Sequence, residues 1–324
     1  MFTDTQLLDK VNDYISHLNY GKQPDGLYEP IQYAMSLGGK RIRPVLMMMA
    51  YNLYRDDVDS ILSQAAGIET YHNYTLMHDD LMDNAELRRG KPTVHKKWSS
   101  NTAVLSGDAM QVIAYRLMTG TGGRYVPAVM KLFTQTAMQV CEGQQYDMDF
   151  ETRMDVYEHE YLEMIRLKTS VLLAASLKIG ALLAEAPDED AQFLYDFGIN
   201  LGTAFQLRDD ILDVYGDPRV FGKKIGGDIL CNKKTYMLIQ ALRRANPDQL
   251  AELKKWLSAE EFDPDEKIKA VTALYDDIDV RSLCEDRISH YTLLAETNLN
   301  MVKVPEEKKL PLLDEMNKLM FREA

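Results

Sequence analysis

Two acidic pentads carry the most suggestive chemistry in this chain: Asp79-Asp80-Leu81-Met82-Asp83 and Asp209-Asp210-Ile211-Leu212-Asp213. On a helix, the first and last aspartates of each stand one turn apart on a shared face. Both pentads lie in long apolar-periodic stretches, hemmed by Leu, Ile, Met, Tyr or Phe. Clustered carboxylates there repel one another and resist desolvation. One such pentad is readily a solvated acidic face; two with the same spacing need a compensating cation. Oxygen-only ligands favour Mg²⁺, which takes one or two carboxylates and completes its shell with water and substrate phosphates. The pattern therefore reads as a divalent-metal diphosphate site between two helices.

Basic groups follow the acidic ones. Arg88 and Arg89 stand in Leu87-Arg88-Arg89-Gly90-Lys91-Pro92-Thr93-Val94-His95 and offer bidentate donors to phosphate oxygens. Gly38-Gly39 and Pro44 break an early helix and leave Lys40, Arg41 and Arg43 at the break. After the second pentad, Phe221-Gly222-Lys223-Lys224-Ile225-Gly226-Gly227-Asp228 suits a phosphate flap: its glycines permit close backbone approach, and Lys223 supplies a flexible charge. It lacks the Walker order, so it is not a P-loop. Lys168-Thr169 brings a cation and a hydroxyl into an apolar helix, and Gln206 lies three residues before Asp209.

This inventory fits ionisation of a diphosphate ester. Metal ions and cationic side chains neutralise charge developing on the leaving pyrophosphate. The carbocation left behind must be allylic, with an apolar cavity to hold its tail and exclude water. Tyr71, Tyr74 and Thr75, upstream of Asp79, extend in that direction.

The elements that position these groups are helical. Periodicity predicts helices over about 4–18, 29–37, 42–55, 60–86, 102–119, 125–149, 154–184, 190–215, 232–246, 249–258, 264–297 and 307–321. No composition shift marks a boundary, so one all-α domain over 1–324 is expected. HDDLMD and RDDILD form a weak internal echo and are expected to face each other across a bundle. The formal charge, 37 minus 50 or -13, disfavours nucleic acid and anionic membrane as general partners. Cys141, Cys231 and Cys284 are dispersed without zinc or CxxC spacing, which suits a reducing compartment. With no signal-peptide order and no transmembrane segment in view, the chain reads as cytoplasmic.

GGKRIRP at 38–44, HDDLMDNAELRRGKPTVH at 78–95, KT at 168–169, FQLRDDILD at 205–213 and GKKIGGDI at 222–229 together resemble the trans-isoprenyl diphosphate synthases, or polyprenyl synthetases, over almost the whole chain. The resemblance implies an isoprenoid-synthase-type fold, a large antiparallel helical bundle around a central cavity, usually homodimeric, with the acidic motifs on opposite walls. It implies that Asp79, Asp83 and Asp209 ligate Mg²⁺, three ions with substrate bound and Mn²⁺ as the alternative metal. Asp213 joins them directly or through water, Asp80 supports the metal-water shell, and Asp210 completes the second motif. Arg88, Lys168 and Lys223 hold the leaving diphosphate, while Lys40, Arg43, His72 and Arg89 hold isopentenyl diphosphate. Thr169 and Gln206 line the reacting region. Condensation with an allylic prenyl diphosphate then runs by ionisation, attack by the isopentenyl double bond and proton loss to released pyrophosphate. Tyr74 and Thr75, five and four residues before the first motif, are the chain-length positions. They favour C20 geranylgeranyl diphosphate, with C15 farnesyl diphosphate next.

Three other readings compete. Class I terpene cyclases carry a different second metal motif, and the repeated DDxxD here favours chain elongation. A ferritin-like dimetal site would use Glu69-Thr70-Tyr71-His72 as an ExxH pair, but a second such helix is missing. A non-catalytic prenyl-diphosphate-binding regulatory subunit would bind substrate without turnover.

Overall fold

A computed structural model describes residues 1–120, 122–216 and 225–320; Lys223, expected to hold phosphate, lies outside them. Among the described residues the fold is helical, with one two-stranded hairpin. The helices are α1 Asp4–His17, α2 Asp25–Ser36, α3 Ile42–Asn52, α4 Leu62–Met82, α5 Val94–Lys97, α6 Ser100–Thr119, α7 Val126–Glu151, α8 Glu158–Ile165, α9 Val171–Leu183 and α10 Asp188–Tyr215. Then come α11 Gly227–Leu230, α12 Tyr236–Arg244, α13 Pro247–Ser258, α14 Pro264–Ile278, α15 Val280–Met301 and α16 Glu306–Met320. No described helix is long and apolar enough to cross a membrane.

The chain forms two compact units: residues 1–135, 175–195 and 302–312 make the first, and 136–174, 196–301 and 313–324 the second. The first acidic motif belongs to the first unit and the second motif to the second.

In the first unit, α3 is buried at every position from Pro44 to Asn52. The run from Gln64 to Tyr71 in α4 is likewise buried throughout. A helix buried all round is a core element rather than an amphipathic surface one. Small residues allow this packing: a Cβ on Gly67 would meet Ala114 O of α6 at 3.2 Å, and one on Gly180 would meet Met47 O of α3 at 2.1 Å.

The expected helix over 60–86 is shorter than its sequence period suggested. It ends at Met82, where Asn84 turns left-handed at φ 50. The Asn84 N–H then donates to Leu81 O at 3.2 Å and the Ala85 N–H to Asp80 O at 2.9 Å. That is a Schellman stop with asparagine in the glycine position. The expected 264–297 helix is likewise two, broken at Asp279 with φ 58. The expected 154–184 helix begins at Glu158 and carries a π-helical turn, Arg166–Ser170, between α8 and α9.

In the second unit that π turn is flanked by two glycines. A Cβ on Gly143 of α7 would lie 2.3 Å from the Lys168 amide nitrogen, and one on Gly202 of α10 would lie 2.6 Å from Ser170 Cα. Neighbouring backbones close on the turn because neither glycine has a side chain.

Candidate active site

Both acidic motifs occupy the C-terminal turns of their helices, α4 and α10. The helix dipole is negative at that end, so carboxylates there are disfavoured unless a cation answers them. In the first unit Arg88 does so for Asp80. Its Nε donates to both Asp80 oxygens at 3.0 and 3.1 Å, and Nη2 donates to Oδ1 at 2.5 Å. Burial pushes the Asp80 carboxyl above its ordinary range while Arg88 pulls it down. Asp80 is therefore engaged by protein, while Asp79 is half-buried and Asp83 exposed.

Arg88 and Arg89 do not simply trail from a helix end, as their sequence position suggested. Leu87–Arg88 pairs antiparallel with Lys91–Pro92, and Arg89 and Gly90 form the tip with φ 53 and 73. Positive φ at both tip residues marks a type I′ turn. Arginine is a strained choice for the first tip position, and such strain clusters at functional sites. The Tyr33 hydroxyl donates to Pro92 O at 2.8 Å and fixes the hairpin to α2. Arg89 Nη1 donates to Gly38 O. A Cβ on Gly39 would meet the end of the Arg89 side chain at 2.6 Å, and Gly39 stands at φ 132, a backbone position that favours glycine.

Arg43 and His72 meet beside that turn. Arg43 Nη1 donates to His72 Nε2 at 3.1 Å, which makes the imidazole neutral with its proton on Nδ1. Burial, then Arg43, Arg89, Arg88 and Arg41, hold the His72 pKa well below its ordinary value. Burial lowers Arg43 to about 10 against the pull of Glu69. Arg43 Nε is buried and has no hydrogen-bond acceptor among the described residues. Four arginines acting on one neutral histidine concentrate positive charge here, in a chain of strongly negative net charge. Lys40, exposed, precedes Arg41 on the same turn.

The sequence placed Arg41 at the helix break and Glu69 in an ExxH pair but did not show that the two pair with each other, or that Asn73 joins them. Arg41, left-handed at φ 50, donates from Nη1 to Glu69 Oε1 at 2.6 Å and from Nη2 to Met35 O at 2.8 Å. Asn73 donates to the same Glu69 oxygen at 2.9 Å. The signal was present: a lone carboxylate inside AAGIETYHNY demands a buried partner. This arrangement also removes the ExxH reading, because Glu69 is bound by Arg41 and Asn73.

Tyr74 and Thr75, the expected chain-length positions, follow His72 on α4. Tyr74 packs edge-on against His78, ring centroids 4.8 Å apart, and against Tyr71 at 5.4 Å. Fully buried Tyr71 in turn meets Phe133 at 5.2 Å. The Thr75 hydroxyl donates to His72 O at 2.8 Å.

In the second unit, Lys168 and Thr169 sit within the π turn, an irregularity common at functional sites. Lys168 Nζ donates to Asp147 Oδ2 at 2.7 Å. Burial opposes ionisation of Asp147, but Lys233 and Lys168 hold it below the usual carboxylate range. Asp147 did not stand out in sequence because Glu142, Asp149 and Glu151 surround it and read equally as a solvated acidic face. The Thr169 hydroxyl donates to Gln206 Oε1 at 3.2 Å, and Gln206 Nε2 donates to Asp210 Oδ1 at 3.3 Å. The hydroxyl of buried Tyr161 donates to Asp210 Oδ2. Burial and neighbouring Asp228 push Asp210 up to about 7. Asp213 Oδ2 accepts the Asp228 N–H at 2.9 Å. Asp210 is thus held by protein as Asp80 is, while Asp209 is half-buried.

Each motif has one aspartate locked by protein side chains, Asp80 by Arg88 and Asp210 by Gln206 and Tyr161. Among the described residues no three or more His, Cys, Asp or Glu side chains converge as a ready-made cage. Mg²⁺ needs none, since water and substrate oxygens complete its shell. The donor set fits that ion.

Comparison with known proteins agrees with this chemistry. The polyprenyl synthetase family profile matches residues 24–275. The short chain isoprenyl diphosphate synthase of Methanocaldococcus jannaschii is 39% identical over 270 residues, 83% of this chain and 81% of that protein. The geranylgeranyl diphosphate synthase of Methanosarcina mazei is 39% identical over 247 residues, 74% and 76% of the two chains. A crystal structure of geranylgeranyl pyrophosphate synthase superimposes with a TM-score of 0.93 at 42% identity, covering 100% of both chains. A fold, a motif order and a sequence kinship that run together through nearly the whole length have one explanation: this chain is a member of the polyprenyl synthetase family, with its all-α isoprenoid synthase fold.

Proposed function

We propose that the chain is a short-chain trans-prenyl diphosphate synthase. It condenses isopentenyl diphosphate with an allylic diphosphate, forms geranylgeranyl (C20) or farnesyl (C15) diphosphate, and releases pyrophosphate. The observation that carries this reading is the cluster of arginines around neutral His72, with Arg43 Nε lacking an acceptor among the described residues. It gives a second diphosphate its own seat, which condensation needs and cyclisation does not.

Lys40, Arg43, His72 and Arg89 hold isopentenyl diphosphate, with Arg43 Nε gaining its missing acceptor. Arg88 and Lys168 stabilise the leaving diphosphate of the allylic substrate, each kept in place by one carboxylate, Asp80 and Asp147. Thr169, Gln206 and Asp210 form a hydrogen-bonded row lining the reacting region. Mg²⁺, when bound, neutralises charge growing on the departing diphosphate. Asp79 and Asp83 in the first unit, and Asp209 and Asp213 in the second, would hold it, three ions in all, with Mn²⁺ a workable substitute. Tyr74 limits the hydrocarbon tail. Val104, Leu105 and Val112 are exposed along α6, which supports a homodimer.

The test is product length by mass spectrometry after incubation with isopentenyl diphosphate, Mg²⁺ and dimethylallyl, geranyl or farnesyl diphosphate. A C20 or C15 product upholds the reading. Substrate binding without condensation from any primer replaces it with a regulatory subunit.

A further inference from the structure

We propose that Glu69 is a positioning residue for the cationic pocket: its buried ion pair with Arg41 fixes the turn from which Lys40 and Arg43 diverge. This rests on the assignment of that pocket to isopentenyl diphosphate. Side chains of Glu69 and Arg41 are 2% and 3% exposed, so neither touches solvent or is placed to meet substrate directly. A buried pair of this kind is weak evidence of stability, because desolvation opposes the Coulomb gain. Its value is geometric. Arg41 stands at φ 50 immediately before α3, a conformation that costs any residue with a Cβ. Its guanidinium is tied to Glu69, Met35 O and, more loosely, to Asn12 Oδ1 at 3.4 Å. Lys40 and Arg43 flank it in sequence. On α4, Glu69 and Asp80 are eleven residues apart and share a face, with His72 beside them. The helix thus presents a row of partners: Glu69 to Arg41, His72 to Arg43 and Asp80 to Arg88. Glu69 also acts on Arg43 and Arg89 through its charge, favouring their cationic forms.

The two roles of Glu69 predict opposite signs. As a mere negative charge, it weakens anion binding, and its removal tightens the pocket. As a positioning group, its removal lets the turn relax and loosens the pocket.

The experiment is calorimetric titration of wild type, Glu69→Gln, Glu69→Asp and the double variant Arg41→Met/Glu69→Met with isopentenyl diphosphate and inorganic pyrophosphate, alongside steady-state kinetics. Glu69→Gln is expected to weaken isopentenyl diphosphate binding by about tenfold or more, while KM for the allylic primer stays within about twofold. Glu69→Asp, which keeps the charge one methylene short, falls between. The apolar double variant restores folding, as replaced buried pairs do, but not binding; it decides the matter if Glu69→Gln misfolds. Unchanged or tighter binding in folded Glu69→Gln overturns the inference, as does a double variant that recovers both folding and affinity. Wild type that binds isopentenyl diphosphate without turnover defeats the condensation reading and leaves this inference standing on the binding data. Wild type that binds neither probe overturns both.

Discussion

Replacing Gly143 with alanine tests whether the shape of the π turn, and not only its Lys168 and Thr169 side chains, matters for activity. The new Cβ would lie 2.3 Å from the Lys168 amide nitrogen, 2.8 Å from Leu167 C and 2.8 Å from Lys168 Cα. All three are backbone atoms, so no side chain can swing aside, and the turn must move by about 1 Å to reach van der Waals distance. Overpacking of this kind costs about 1–3 kcal/mol, and three close backbone contacts place Gly143→Ala near the top of that range. Alanine returns about 1 kcal/mol of helix propensity, leaving a net loss of about 2 kcal/mol and a fall in Tm of about 3 °C. Activity should suffer more, because a 1 Å misplacement of a reacting group costs about 10²-fold in rate. Thermal melts and kcat with a C15 primer read both effects. Gly26→Ala is the control, since a Cβ there meets nothing within 4 Å; it should leave kcat unchanged and raise Tm slightly. Gly202→Ala compresses the same turn from the other side, from 2.6 Å at Ser170 Cα, so its effects should not add to those of Gly143→Ala. Wild-type Tm and kcat in Gly143→Ala would refute the reasoning.

Removing metal with a chelator should abolish condensation and leave Tm unchanged, and added Mg²⁺ should restore activity; a fall in Tm would instead reveal a structural ion. The His72 pKa is depressed in the folded state, so the unfolded chain binds more protons below about pH 6.5. The stability this gives is fully present above that pH and is lost as pH falls through the folded value. Stability should therefore fall between about pH 7 and 5.5, and His72→Gln should flatten that fall in urea melts at the two pH values. Tyr74→Ala should lengthen the product by about five carbons, because it opens one layer of a hydrophobic floor while Tyr71 and Phe133 remain beneath it; products many units longer by mass spectrometry would show that Tyr74 was the whole floor.

The sequence alone determined the chemistry and the fold class of this protein. Two DDxxD pentads, RRG, KT and a helical period of hydrophobic residues are local patterns. They are written in residue type and spacing, so metal-diphosphate chemistry on an all-α fold could be read directly from them. The sequence did not determine how the carboxylates divide. Asp79 and Asp80 are adjacent and chemically identical, yet Asp80 is locked by Arg88 from a hairpin that no period announced. That hairpin exists because the Schellman stop at Asn84 ends α4 early, which depends on backbone geometry rather than on hydrophobic pattern. The reading of 154–184 as one helix missed its π turn for a related reason: the turn needs Gly143 and Gly202 from other helices to make room for it. Partners distant in sequence also escaped notice, including Glu69 for Arg41 and Asp147 for Lys168. A lone charge in a helix tells the reader that it needs a counter-charge, and only tertiary packing decides which residue supplies it.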